Sequence, residues 1–419
     1  MDQVDIDDNT GLIYACIKGL KDVALELLKH PSECKMEQID NDGNTALILA
    51  CMRGLKEVAL ELLKYPSECK MDQVNDDGNT ALTWACYNNM KEVALELLKY
   101  PDKCKIDQVN THGNTALMYA CMKGLKEVAL ELLKYSDKYK TDQVSNRGDT
   151  ALLWACYRGM TEVALELLKY PDICKIDQVR NKGNTALMWA CSNNMTEVVL
   201  ELLKYPDRCK MDQVDNKGNT ALILACDRGM KEVALKMSEY PSECKIDQVS
   251  NTGNTALIRA CRKGMNKVAL KLLECPSGCK IDQVSNTGGA TALILACSKG
   301  MKEVALELLK YPDRCKIDQV SNIGNTALIL ACSKGMTEVA LKMLEYPGEC
   351  KIDQVNTYGN TALILACCNN MKEVALELLK YPDKCKMDHV NNEGNTALIW
   401  ACKNNMNKVA LELLKYPDR

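Results

Sequence analysis

A nine-residue stretch, Gly-Asn-Thr-Ala-Leu-Ile-Leu-Ala-Cys at Gly43–Cys51, recurs with small changes twelve times in this 419-residue chain. The threonine of each copy lies at 10, 45, 80, 115, 150, 185, 220, 255, 291, 326, 361 and 396. The interval is 35 residues, lengthened once by one residue near Gly289. A fixed period of this size is typical of stacked units that cannot bury their apolar faces alone. We therefore expect a single repeat domain over residues 1–419.

Composition and charge exclude several classes of protein. Hydrophobic residues make up 47% and charged residues 26% of the chain, which is typical of a folded protein. The net charge of −3 predicts no general affinity for nucleic acid or anionic membranes. No stretch approaches the ~20 apolar residues of a membrane span. The N-terminus lacks the basic and apolar regions of a signal peptide, so we expect a cytoplasmic rather than a secreted protein.

The chain contains 24 cysteines, which follow the repeat. Twelve follow the alanine of the recurring stretch, as Cys51 does, and ten lie in a later loop, as Cys69 does. Equivalent cysteines of neighbouring units should be separated by a helix-packing distance of ~8–10 Å. A disulfide needs Cα atoms within about 7 Å. The pattern therefore predicts reduced cysteines.

One unit, residues 75–105, shows how each repeat should fold. Gly78 lies in a turn signal, and Thr80 is suited to cap a short helix over Ala81–Tyr87. Asn88-Asn89 then ends that helix, where most other units have Gly at the second position. A second amphipathic helix is predicted over Lys91–Lys99, before Tyr100-Pro101. Each unit should therefore be a helix, a tight turn, a second helix and an extended loop.

These motifs carry a resemblance to a known family. Gly-x-Thr-Ala-Leu-x-x-Ala-Cys, followed by Gly and Glu-Val-Ala-Leu-x-Leu-Leu, resembles the ankyrin repeat along the whole chain. A tetratricopeptide array would need Trp and Tyr signatures that are missing. Ala46 replaces the family's Pro, and Ile48, Met118 and Leu153 stand where the family has His. The resemblance implies an all-α ankyrin-repeat solenoid of about twelve 35-residue helix-turn-helix units with extended connecting loops. The amino-acid sequence of the repeats also resembles that of long arrays in giant viruses that infect amoebae.

The residues of an enzyme or a metal site are not found together. Three histidines, His30, His112 and His389, are too far apart in a linear array to share one site. Only Cys275 and Cys279 approach the spacing of a zinc-binding pair, and they supply half the ligands. No phosphate-binding glycine loop is present. We therefore predict no catalytic residues, no metal and no cofactor.

Residues that differ between units can select a partner. Four residues after each threonine the chain has Tyr14, Leu49, Trp84, Tyr119, Trp154, Trp189, Leu224, Arg259, Leu295, Leu330, Leu365 and Trp400. The resemblance implies that this side of the first helix lines a concave groove. Tyr87 and Tyr157 lie one helical turn beyond Trp84 and Trp154. The column is either partly buried packing or a row of aromatic anchors, which are common in binding hot spots.

A second column, eight residues after each threonine, is basic in eight units. It contains Lys18, Arg53, Lys123, Arg158, Arg228, Lys263, Lys299 and Lys334, with Asn in the other four units. These cations either complement helix ends or attract an acidic peptide. The candidate groove residues are Tyr14, Arg53, Trp84, Tyr87, Tyr119, Lys123, Trp154, Tyr157, Arg158, Trp189, Arg228, Arg259 and Trp400.

The predicted function is a protein–protein interaction scaffold that binds a partner protein or an acidic peptide in this groove. If the viral resemblance holds, the partner is a host protein that is recruited or sequestered in the host cytoplasm. The alternatives are a self-associating structural spacer and a ubiquitin-ligase substrate adaptor whose recruiting motif is missing. Nucleic acid is disfavoured by the acidic balance of the chain, and the oligomeric state stays open.

Irregular units predict a soft joint at residues 235–292. Ser238 stands in the place of a core leucine, Cys275-Pro276 ends the eighth unit, and an insertion at Gly289 opens the ninth. Neither terminal unit has the polar face of a capping repeat. Either the chain is a fragment of a longer array, which we favour, or its ends contact another chain.

Overall fold

The computed structural model describes residue 5 and residues 9–135, 142–180, 182–241, 243–274, 278–346 and 348–416. The chain divides into two compact units, residues 1–210 and 211–419, which are described separately. In each unit the first helix of a repeat packs against the first helix of the next repeat, and second helices pack against second helices. The predicted all-α architecture of helix-turn-helix repeats is confirmed for the described residues.

The bounds of the helices follow the repeat. The first helices are Gly11–Lys18, Ala46–Arg53, Ala81–Tyr87, Ala116–Lys123, Ala151–Tyr157, Ala186–Ser192, Ala221–Arg228, Ala256–Arg262, Ala292–Ser298, Ala327–Ser333, Ala362–Cys368 and Ala397–Lys403. The second helices are Lys21–Leu27, Lys56–Leu62, Lys91–Leu97, Lys126–Leu133, Thr161–Leu168, Thr196–Leu202, Lys231–Met237, Asn266–Leu273, Lys302–Leu308, Thr337–Leu344, Lys372–Leu378 and Asn407–Leu413. Two short helical turns, Pro31–Glu33 and Pro312–Cys315, lie in loops.

Local sequence sets the helix ends. The Thr80 side chain accepts a hydrogen bond from the backbone N–H of Thr83 at 3.2 Å, as predicted for an N-cap. The first helix of this repeat spans Ala81–Tyr87 as predicted, and Asn89 takes the left-handed conformation after it, with φ 59°. The second helix ends at Leu97, two residues before the predicted Lys99. There the backbone N–H of Lys99 bonds to Glu96 three residues back, so the last residues form a turn before the proline.

The core of each repeat consists of the apolar stripes of its two helices. In the third repeat Leu82, Cys86, Val93, Ala94 and Leu97 are at most 1% exposed. The cysteines that follow the alanine of the recurring stretch share this core and are buried, except for Cys402 in the last repeat, which is exposed. Burial raises the pKa of the thiols of Cys16, Cys121 and Cys261 to about 12. They therefore act as small apolar residues at neutral pH.

Polar side chains link successive repeats. In several turns an asparagine donates its amide N–H to an asparagine 31 residues earlier, and Asn75 Nδ2 lies 2.9 Å from Asn44 Oδ1. On the outer face, lysines of second helices pair with glutamates of the next repeat, as in Lys56 with Glu92 at 2.9 Å. Exposed ion pairs contribute little each to stability, so the asparagine bonds and the apolar core align the repeats.

Among the described residues, no helix combines the length and apolarity needed to cross a membrane.

Ser238 is buried, only 5% exposed, where the third repeat has Leu98, and its hydroxyl donates to the carbonyl of Ala234 at 2.6 Å. Ser238→Leu should therefore stabilise residues 211–419 by about 2 kcal/mol, because the neighbouring repeats already accommodate leucine at this position. Urea unfolding of the full chain measures the gain, and hydrogen exchange measures slower opening of residues 235–292. The soft joint itself stays a prediction.

The reverse change, Leu98→Ser, is the matched control and should cost ~2–5 kcal/mol. Unchanged exchange in Ser238→Leu would contradict the idea that Ser238 softens this region.

Candidate functional site

Contacts between first helices follow one register. The side chain seven residues after the threonine of one repeat contacts the side chain four residues after the threonine of the next. Tyr87 and Tyr119 meet edge to face with ring centroids 5.2 Å apart, and Tyr157 and Trp189 do so at 4.7 Å. At these two boundaries the register brings Tyr87 and Tyr157 against the aromatic column of the next repeat.

The register produces two aromatic clusters in residues 1–210. Trp84 packs edge to face on Tyr87 with ring centroids 5.5 Å apart, which extends the Tyr87–Tyr119 contact. Trp154 packs in the same way on Tyr157 at 5.5 Å. Edge-to-face pairs are favourable because the positive ring edge meets the negative ring face. Tyr87 and Tyr157 are each 40% exposed, so both clusters keep ring surface open to solvent.

A cleft of about 460 Å³ joins parts of the two clusters. We call it the aromatic cleft and define it by Trp84, Tyr87, Tyr119, Lys123, Trp154 and Arg180, which line it. The indole Nε1 of Trp84 is buried and has no hydrogen-bond acceptor among the described residues. The aromatic cleft is also lined by polar side chains, which include His112, Asn114 and Arg147. The cleft therefore combines aromatic faces with polar groups, as ligand sites do.

Two cationic side chains lie over the faces of aromatic rings in the cleft. Lys123 Nζ lies 4.8 Å from the ring centroid of Tyr87, and the Arg180 guanidinium lies 4.6 Å from that of Trp154. At these distances a cation is attracted to the ring face. Outside the cleft, Arg158 lies 5.7 Å from the Tyr157 ring.

Arg180 was not predicted from the sequence, and it forms an unusual link between repeats. Its Nε lies 2.6 Å from Asp149 Oδ1, so an ion pair replaces the neutral pair that Asn75 and Asn44 form. Asp149 is only 5% exposed, and its pKa is raised by burial against the opposing effect of Arg180. A sequence signal did exist, because Asp149 replaces the usual asparagine and Arg180 follows at the same 31-residue distance.

The other candidate residues lie outside the aromatic cleft. Tyr14, Arg53 and Arg228 are exposed on their own repeats. Arg259 is half-buried and pairs with Asp227 at 2.7 Å, in the register that joins Tyr87 to Tyr119. In the last repeat Lys403 Nζ lies 4.5 Å from the ring centroid of Trp400.

Side chains eight residues after the threonine also form hydrogen bonds with the backbone of the preceding repeat. Arg158 Nε donates to the carbonyl of Met122 in the preceding repeat at 2.7 Å. Asn88, at the same position of its own repeat, donates to the carbonyl of Cys51 at 2.9 Å. In these two repeats the side chain at this position therefore caps the first helix of the preceding repeat.

Comparison with known families agrees with this geometry. A family model described as ankyrin repeats (3 copies) matches residues 1–72, 59–143, 136–213, 207–285, 277–356 and 341–418. These matches cover almost the whole chain. The chain belongs to the ankyrin repeat family. A comparison with curated proteins found no match.

Ankyrin repeats generally mediate protein–protein interaction and are typically scaffolds rather than enzymes. In this ankyrin array, His30 and His112 are exposed, and His389 is half-buried with no partner for Nε2 among described residues. Within the same ranges, no three His, Cys, Asp or Glu side chains group to hold a metal ion. Cys275 of the predicted cysteine pair lies outside the described residues.

Proposed function

We propose that this ankyrin array is a protein-binding scaffold whose aromatic cleft receives a segment of a partner protein. The observation that carries the proposal is the pairing of half-exposed aromatic rings with cations at their faces, Lys123 on Tyr87 and Arg180 on Trp154. Aromatic and arginine side chains supply most of the energy at protein interfaces. The ring surface that stays exposed is available to apolar side chains of the partner.

The partner segment should carry both apolar and acidic side chains. Lys123, Arg147 and Arg180 line the cleft, against the carboxylates of Asp77 and Asp149, and Asp149 is already paired with Arg180. The uncompensated charge is therefore positive and favours an acidic group on the partner. The predicted groove residues of residues 1–210 that lie outside the cleft, such as Tyr14 and Trp189, would extend the contact along the first helices.

The resemblance to arrays of giant viruses suggests the biological setting. In that setting the partner is a regulatory protein of the host, which the array recruits or sequesters in the host cytoplasm. A self-associating spacer is the second candidate, favoured by the polar links that tie each repeat to the next. A substrate adaptor of a ubiquitin ligase would bind through the same cleft and need a recruiting motif elsewhere.

Truncating the cleft tryptophans, Trp84→Ala with Trp154→Ala, should weaken partner binding by about 2 kcal/mol or more, roughly 30-fold. The measurement is affinity capture from an amoebal lysate with wild-type and variant baits, followed by titration of the captured protein against each. Trp400→Ala is the matched control, because Trp400 has the same place in its repeat but lies outside the cleft.

A partner retained equally by all three baits would overturn the assignment of the cleft. Concentration-dependent self-association of the wild type, lost in the double variant, would favour the spacer instead. Circular dichroism of each bait checks that the helices are intact.

A further inference from the structure

The eighth repeat carries a concentration of positive charge that is absent elsewhere in the chain. Its first helix contains Arg259 and Arg262, one helical turn apart, where the ninth repeat has Leu295 and Ser298. Residues 250–284 contain six basic and two acidic side chains, a net charge of +4 in a chain of net charge −3. The repeat also lacks Trp and Tyr, so its chemistry differs from that of the aromatic cleft.

The two arginines share one carboxylate. Arg259 Nη1 lies 2.7 Å from Asp227 Oδ1, while its Nε is buried without a hydrogen-bond acceptor among the described residues. Among the described residues, the hydrogen-bond acceptors of Arg262 Nη2 are two neutral groups, Ser285 Oγ at 3.2 Å and Asn254 Oδ1 at 3.5 Å. Burial, and then the charge of Arg259, lower the pKa of Arg262. The pair therefore holds one positive charge in excess.

Packing does not require this arrangement. The neighbouring repeats fill the same two positions with Leu295 and Ser298, and Leu330 and Ser333. Half-buried charges destabilise a fold unless a charged partner compensates them. An added anion would supply the missing charge and accept hydrogen bonds from the guanidinium groups.

Three further cations lie at the C-terminal ends of the first helices of the eighth repeat and its two neighbours. Arg228, Lys263 and Lys299 occupy the position eight residues after the threonine in the seventh, eighth and ninth repeats, and all three are exposed. Regular spacing of cations along successive repeats suits an extended chain with several negative charges.

We propose that Arg259 and Arg262 form an anion-recognition site for the acidic side chains of a partner protein segment. The site lies in residues 211–419 and does not depend on the aromatic cleft, whose residues all lie in residues 1–210. A carboxylate of the partner binds the two guanidinium groups beside Asp227, and flanking acidic residues meet Arg228, Lys263 and Lys299.

Fluorescence anisotropy of labelled hexaglutamate with the full chain at low salt tests the site. The double change Arg259→Leu with Arg262→Ser copies the ninth repeat, so the fold should tolerate it, and it should weaken binding about tenfold or more. The charge-matched control, Lys267→Gln with Lys280→Gln, removes two exposed cations of the same repeat outside the first helix and should change affinity by less than about twofold.

Asp227→Asn gives a result that a purely structural role would not produce. It removes the competing carboxylate and should strengthen binding by about threefold. Equal losses in the arginine variant and the lysine control would overturn the proposal, as would no binding by the wild type. A single-stranded oligonucleotide could instead bind more tightly than hexaglutamate and lose affinity in the arginine variant. The ligand would then be nucleic acid, and the proposal of an acidic peptide would be overturned.

Discussion

Both units are expected to unfold between about pH 8.5 and pH 10, because folding buries thiols that the unfolded chain ionises there. Burial raises the pKa of Cys16, Cys121, Cys261 and Cys367 to about 12. It also raises the pKa of the first-helix thiols at 51, 86, 156, 226, 297 and 332. Each unit thus contains five first-helix thiols with a raised pKa.

The free energy of unfolding falls as the pH rises because the thiols lose their protons in the unfolded chain first. Below about pH 8.5 these thiols are protonated in both states, so the stability that they contribute is fully present. Above that pH the unfolded chain loses protons that the folded chain keeps, and each thiol costs about 1.4 kcal/mol per pH unit. The five first-helix thiols alone would remove roughly 10 kcal/mol from each unit by pH 10, about the stability of an ordinary domain.

The measurement is urea unfolding followed by circular dichroism at a series of pH values, with a reducing agent present. The control is the triple change Cys51→Ala, Cys86→Ala and Cys121→Ala, which removes three of the five first-helix thiols with a raised pKa from residues 1–210. Burial also raises the pKa of five loop thiols in that unit, at 34, 69, 104, 174 and 209, so its pH-dependent loss should fall to about seven tenths. An unchanged pH dependence would show that other groups cause the alkaline unfolding.

Gly253→Ala is expected to destabilise residues 211–419 by about 3 kcal/mol or more, whereas Gly264→Ala in the same repeat costs ~1–2 kcal/mol. Both glycines have positive φ, +72° and +67°, so both substitutions force a side chain into the left-handed region. Only Gly253 also lacks space. A Cβ there would lie 2.8 Å from the carbonyl oxygen of Val284 and 2.9 Å from the backbone N of Asn286.

The added methyl group would push apart two turns that are hydrogen-bonded across the repeat boundary, where Asn286 N donates to Thr252 O at 3.0 Å. Around Gly264 no atom lies within 4 Å of the added Cβ, and four other repeats have Asn at this position, such as Asn89. Urea unfolding of both variants measures the difference. Equal losses would mean that backbone conformation alone decides the cost and that the turns can separate freely.

The repeat unit was predictable because its determinants are close together in the chain. Thr80 caps its helix with a residue three positions away, and the apolar stripe of the second helix follows helical spacing. The predicted end at Lys99 was wrong by two residues because the turn before Pro101 competes with the last helical hydrogen bonds. The family's pattern covered the whole chain, so the fold class needed no tertiary information.

The candidate site was predictable only in part. The aromatic column and its neighbouring tyrosines were visible from spacing. Arg180 was missed because it lies outside the first helices, and Arg262 was missed because only tyrosines were chosen at the position that it shares with Tyr87 and Tyr157. Arg180 begins a turn after the extended loop and reaches Trp154 and Asp149 of the preceding repeat. Such partners are some thirty residues apart, beyond the range of any helical or strand periodicity.

The period, the two helices of each repeat, the capping threonines and the buried cysteines follow from local sequence, because each depends on residues a few positions apart. The tertiary structure decided which side chains meet between repeats. The register of first helices joins Tyr87 to Tyr119 by ring contact and Asp227 to Arg259 by charge. That register is set by packing over a whole repeat, so the aromatic cleft and the contact of Arg259 with Asp227 form only when the repeats are stacked.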